Sequence, residues 1–466
     1  MRFKNLHRKF KIMYKKVFFS LALAATGFAN AQNVNIPDAN FKAYLVGDST
    51  INTNGDNEIQ VSEALAFTGT INCSNRNIIS LTGIEAFVNL SALRCQGNKL
   101  ETLNVTQNTV LNELNCAQNR LTSLDVSKNI NLAKLDCSTN QLINLDVTKN
   151  TALRSLWCYL NQLPALDVTK NTALEWLACY ENLLINLDVT KNTGLGILDC
   201  SFNKLTSIDV SKNISLSYLN CAGNRLANLD VTKNTALDIL ECYQNVLTSL
   251  DVTQNTAVSY LQCGANKLTS LNITKNTNMY ALDCYENKLT ALDVSKNLNL
   301  NWLRAYDNKL AHLDISKNLS LSYLDSSTNL LQSLNVKNGN NANFSTFNAV
   351  DNPNLKCIQV DNVAYSTANW IYKDGMANYN TNCNYTLDVK KTTKKEITMY
   401  PIPVKNILNF SEEVSELKIT DMLGRTVKYI PDFSKTINVE HLPEGNYIIV
   451  FKTKTGIVIS QKLIKS

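Results

Sequence analysis

The chain has 466 residues, long enough for several globular domains, yet one phrase recurring every 21 residues commits most of that length to a single quasi-linear core. Its formal charge of +6 comes from residues 1–31, which hold seven basic and no acidic residues; from Gln32 onward 38 basic groups face 39 acidic ones, and nothing implies a nucleic-acid partner. The only histidines are His7, His312 and His441, and no nucleophile-and-base pair or metal-ligand cluster stands out beyond the first cap, so the reading is of a non-enzyme.

Residues 1–31 read as a secretory signal peptide: a basic start through Lys16, an apolar run from Val17 to Phe28, and Ala29-Asn30-Ala31 before Gln32. That run, and every later one, is too short to span a bilayer as a helix.

Residues 32–70 predict a helical cap. Ile36-Pro37-Asp38 opens a helix carrying Phe41, Tyr44 and Leu45, and a second runs from Val61 to Phe67. Between them Asn52, Asn54, Asp56, Glu58, Gln60 and Glu63 follow the spacing of an EF-hand loop. Only Asp56 and Glu63 bring charge to the side-chain ligand positions, so the expected calcium affinity is weak; no other cofactor is expected.

Residues 71–355 predict a solenoid of about 14 coils. Its phrase is Leu-x-x-Leu-x-Cys-x-x-Asn-x-Leu-x-x-Leu-Asp-Val-Ser/Thr-Lys-Asn, phased by Leu93, Leu114 and every twenty-first residue to Leu324. Coils are numbered here from Ile71, so Leu156 marks coil 5 and Leu303 coil 12. Both halves of the phrase alternate buried and exposed positions over a few residues, which predicts two short strands per coil and two stacked parallel sheets. The asparagines end the strands and satisfy turn backbone groups. Eleven cysteines, Cys73 to Cys284, share one inward slot; Ala305 and Ser326 occupy it later, so the slot asks for small size and the thiols are read as reduced and buried. That leaves Cys357 and Cys383 as the disulfide.

These motifs resemble leucine-rich repeats, with cysteine in the third apolar slot. The ten-plus-eleven pattern looks like the bacterial 21-residue class, and Leu81-Thr82-Gly83-Ile84-Glu85 with Leu90 looks like an internalin first repeat. The resemblance implies a mainly β fold and an exposed sheet used for binding, not catalysis.

Residues 356–388 predict a closing cap plugged by Trp370 and Tyr372, followed by a Lys/Thr-rich linker at 389–397. Residues 398–466 alternate apolar and polar segments, predicting a small β-sandwich whose strands include Ile407 to Phe410, Leu417 to Thr420, Thr426 to Ile430, Tyr447 to Lys452 and Ile457 to Ile464. Tyr400-Pro401-Ile402-Pro403, Asp421 to Arg425, Leu442 to Tyr447 and Lys462 to Lys465 resemble the type A C-terminal sorting domain of the type IX secretion system of Bacteroidetes; Ile402 departs from the usual asparagine. The resemblance implies passage through that machinery to the cell surface or the medium.

Variation is concentrated in three outward columns of the first strand: one residue before the leucine, one after it, and one after the cysteine. These hold Trp157, Tyr159, Trp176, Tyr180, Tyr218, Tyr243, Tyr260, Tyr285, Trp302, Tyr306 and Tyr323, with Glu241 and Asp283 among the accompanying acids. Alternation places the rings in solvent, and in the first column they recur every 42 residues from Trp176 to Trp302, roughly 9.5 Å apart at about 4.8 Å per coil. Exposed aromatics serve contact. The expected ligand is an extracellular protein, with a glycan as the alternative and a passive spacer as the third reading; the chain itself is read as a monomer. The Asp and Lys columns of the second half, Asp125 to Asp314 and Lys128 to Lys317, are read as a solvated, self-neutralising face.

Overall fold

The computed structural model describes residues 32–383, 397–421, 425–454 and 458–466. The predicted signal peptide, most of the linker and the centre of the Asp421 to Arg425 motif lie outside the described residues. The chain divides into two compact units, residues 1–383 and 384–466, and each is considered by itself.

The first unit is a parallel-strand solenoid of about fifteen turns, one more than the repeat count implies. Fourteen strands of three residues, from Thr70–Asn72 to Thr346–Asn348, form one continuous parallel sheet, and the Ala349–Lys373 bridge carries the winding on. Registry is leucine to leucine from Leu93 to Leu324, as in Leu156 against Leu177, with Ile71 and Phe347 in that slot at the two ends. A second parallel sheet exists, but only over the last coils, from His312–Asp314 through Ser333–Asn335 and Cys357–Gln359 to Asn378–Asn380. In earlier coils the second half stays extended, with one bond per turn such as Arg120 N–H to the Leu100 carbonyl at 2.9 Å. There each aspartate turns inward on its own loop: Asp146 Oδ1 accepts from the backbone N–H and the hydroxyl of Thr148 at 2.9 and 2.7 Å. These aspartates are thus turn caps first, and neutralised by the adjacent lysines only second.

The period works because each slot meets its own kind in the next coil. The phase-locked leucines, cysteines and valines are almost completely buried, and eleven cysteines are free thiols in one column. Burial pushes Cys158 up to about 12, so the ladder is apolar packing rather than reactive sulfur. Two asparagine ladders flank it. Asn182 bridges coils by accepting from Leu163 N–H at 3.0 Å and donating to the carbonyls of Cys158 and Cys179. Asn192 donates to the carbonyls of Val168 and Asn171 at 3.0 and 2.8 Å. The residue before the first asparagine takes positive φ even where it is not glycine, as at Glu181 (49°), Phe202 (49°) and Asp307 (51°); the following asparagine's bonds hold that tight turn.

Both ends are closed. At the first, helix Ala39–Val46 begins at Asp38, whose Oδ1 accepts from Asn40 and Phe41 and whose Oδ2 accepts from Ile79 and Ser80, tying the cap to coil 1. A second helix, Val61–Ala66, packs beside it. At the other end Trp370 stacks on Phe347 at 4.2 Å and its carbonyl accepts from the Tyr379 hydroxyl at 2.8 Å. Tyr372, expected as a plug, is 60% exposed, and Phe347 and Tyr379 do that work instead. A helix at Val363–Asn369, absent from the sequence reading, precedes Trp370. Cys357 and Cys383 are disulfide-bonded with Cα atoms 5.9 Å apart.

The second unit is antiparallel. The segments expected as separate strands at 407–410 and 417–420 are one strand, Ile407–Asp421, whose register shifts let its two halves take different partners. Its N-terminal part pairs with Met399–Tyr400 and Ser434–Asn438, its C-terminal part with Thr426–Ile430 and Gly445–Thr453, and Val458–Lys465 completes the sheet. Phe410, Ile419, Ile449, Phe451 and Leu463 share one buried core.

Candidate binding face

The outward columns of the front sheet gather most of the sequence-selected rings into two clusters. In coils 5 to 8, Tyr159 and Tyr180 stack with centroids 4.4 Å apart and planes 6° from parallel, while Trp157 meets Trp176 edge-on at 5.2 Å. These rings, with Ala178, Asp199 and Tyr218, line a pocket of about 440 Å³. In coils 11 to 13, Tyr285 stacks on Tyr306 at 4.9 Å and Trp302 on Tyr323 at 3.5 Å. Between the clusters, Tyr243 sets its edge to Phe202 at 6.2 Å and Tyr260 is hydrogen-bonded to Gln262.

Alternation alone overstates how bare this stripe is. Trp176 is 41% exposed, but the other selected rings are half-buried, because neighbours 21 residues apart cover each other's faces. The 42-residue beat has a matching register: Trp176 is followed across the sheet by Ile197, Tyr218, Ile239, Tyr260, Ala281 and Trp302. It ends there, since Trp302 and Tyr323 are direct neighbours.

The carboxylates are held in low dielectric. Burial raises Asp199 above the usual range, against bonds from Ser201 and Asn220; burial and then the charge of Asp199 raise Glu241. Asp283 is also raised by burial, although it accepts from Trp302 Nε1 and Gln262 Nε2, each at 2.9 Å, and lies 3.7 Å from Arg304. Arg304 was not selected from sequence. Its guanidinium carbon sits 4.7 Å from the Tyr285 centroid and 5.3 Å from that of Tyr306. The signal was available: a cation between Asp283 and Asp325 in its column, framed by tyrosines in the adjoining one.

The loop read for calcium uses its oxygens on itself. Glu63 Oε1 accepts from Thr53 N–H, the Thr53 hydroxyl and Asn54 N–H, and Oε2 from Gln60 N–H. Asn52 Oδ1 takes Gly55 N–H, Asn54 Oδ1 takes Asp56 N–H, Asp56 takes Glu58 N–H and the side-chain amides of Asn54 and Gln60, and Glu58 pairs with Lys42 at 2.6 Å. Arranged so, the residues do not fit a cation: both oxygens of the one bidentate candidate face donors.

Residues 398–466 match the family described as the secretion system C-terminal sorting domain. No curated protein sequence matches the chain. Among solved structures, the chain is similar to the functional domain of InlJ from Listeria monocytogenes, which includes a cysteine ladder: 28% identity over 93% of this chain and 98% of that one, TM-score 0.65. An internalin, InlF, from the same organism gives 20% identity over 69% and 97%, TM-score 0.61. YopM, a leucine-rich effector of Yersinia pestis, gives 20% over 70% and 86%, TM-score 0.50. The described residues include no helix long and apolar enough to cross a membrane. A leucine-rich-repeat solenoid with a cysteine ladder, joined to a secretion system sorting domain, makes this chain an exported protein that is attached to the cell surface or released.

Proposed function

We propose that the chain is a non-catalytic recognition protein of the cell surface, binding another protein through the aromatic and acidic face of coils 5 to 13. The observation that carries this reading is the pocket of about 440 Å³ walled by two tryptophans and a stacked tyrosine pair beside a half-buried carboxylate. Large rings with a polar partner are the side chains that anchor protein interfaces, and they lose little entropy on contact. Glycan binding is the second reading, supported by the alternation of rings and aliphatic side chains along one column, on which successive sugars would stack.

The test compares the mature chain with a Trp176→Ala/Trp302→Ala variant in a pull-down of surface proteins and on a glycan array. Protein capture by the wild type that the variant loses supports the proposal; capture left intact in the variant removes this face from consideration. Array binding without protein capture replaces the first reading by the second.

A further inference from the structure

The two aromatic clusters share a tyrosine pair, a tryptophan and an aspartate in the same slots, six coils apart. Adding 126 to Tyr159, Tyr180, Trp176 and Asp199 gives Tyr285, Tyr306, Trp302 and Asp325. The tyrosine geometry repeats as well, the pairs stacking at 4.4 and 4.9 Å, 6° and 7° from parallel, whereas Trp176 meets Trp157 edge-on and Trp302 stacks on Tyr323. Three lining positions of coils 5 to 7 differ: Asp283 stands where the first cluster has Trp157, Tyr323 where it has Ile197, and the third decides what the site can hold. Arg304 stands in the second cluster where the first has Ala178.

Arg304 fills its cluster. Its guanidinium lies against Tyr285 and Tyr306 and pairs with Asp283. Ala178 ends at Cβ, and it lines a cavity together with the Tyr159–Tyr180 pair, Trp157 and Trp176. Trp157 replaces Asp283 there, so the carboxylate comes from the other side, from Asp199. Asp199 accepts only from neutral donors, Ser201 and Asn220, and no cation pairs with it among the described residues.

We propose that the pocket over Ala178 receives an arginine side chain of a protein partner, the guanidinium lying against Tyr159 and Tyr180 with Asp199 as its counter-ion. The inference rests on the protein-binding reading and narrows it to a partner presenting a basic loop. A guanidinium suits the site better than an ammonium because it is planar, stacks on rings and is weakly hydrated. Burial that disfavours the bare Asp199 carboxylate is offset once a cation sits beside it.

The probe is acetyl-Gly-Arg-Gly-amide, with its citrulline and lysine counterparts, titrated into the mature full chain and followed by tryptophan fluorescence. The arginine peptide is expected to bind in the millimolar range, about tenfold more tightly than the uncharged citrulline peptide. Ala178→Arg, which copies coil 12, should reduce binding about tenfold or more by filling the pocket, and Asp199→Asn should weaken it about fivefold. Circular dichroism identifies a misfolded Ala178→Arg, in which case Asp199→Asn carries the test. Equal binding of the citrulline peptide, or wild-type affinity in the folded variants, overturns the proposal. If folded Ala178→Arg still captures the wild type's protein partner, the pocket assignment fails and the protein-binding reading stands. If the chain captures only glycans, both fail.

Discussion

The two asparagine ladders look alike in sequence but should differ in what they are worth. Asn182→Ala removes the sole acceptor of the buried Leu163 N–H, 3.0 Å away. An orphaned buried donor costs about 1–3 kcal/mol. The carbonyls it served keep other partners, Cys158 through Asn161 and Cys179 through Asn203, so their loss adds about 0.5–1.5 kcal/mol and the total is roughly 2–4 kcal/mol. Asn192→Ala strands no donor. The Val168 and Asn171 carbonyls still accept from Asn171 N–H and Leu174 N–H, and the buried Asn192 Oδ1 has no partner to lose. Its cost should be about 1–2 kcal/mol. Urea denaturation of the purified protein ranks the two, and hydrogen exchange should place the Asn182→Ala loss in coils 5 to 7, since coils contact only their neighbours. Equal costs, or a larger one for Asn192→Ala, would refute the accounting of one stranded N–H.

Three further outcomes follow from the same packing. Asp199 has a raised pKa in the folded chain, so the stability of its protonated form is lost as pH rises through that value; Asp199→Asn should melt higher than wild type at pH 7 and at the same temperature near pH 3, and a lower melt at pH 7 would contradict this. A variant that gains stability while losing the arginine peptide would mark Asp199 as a binding group rather than a structural one. The eleven ladder thiols should react with a thiol reagent only after unfolding, because they are buried and their thiolates strongly disfavoured; fast labelling in the native chain would show the ladder is open. Replacing Cys357 and Cys383 by serine should cost about 3 kcal/mol, seen by hydrogen exchange as earlier opening of residues 357–383, and uniform loss along the solenoid would refute a local clasp.

The repeating phrase by itself determined the coil, the buried leucine and cysteine columns, the asparagine turns, the reduced thiols and the remaining disulfide. In a solenoid every slot packs against its own copy 21 residues away, so the period states the contacts. Residues outside that period escaped it: the helix at Val363–Asn369, the exposed Tyr372, and the single long strand at Ile407–Asp421 all depend on packing without a repeat. The three variable columns were legible as a face, but alternation says only which way a side chain starts. Whether Trp176 stays 41% exposed while Trp302 is covered by Tyr323, and whether a tyrosine pair holds Arg304 or stands over an open pocket at Ala178, is decided between coils. Side chains from neighbouring turns compete there for the same few ångströms, and only the folded structure says which one fills them.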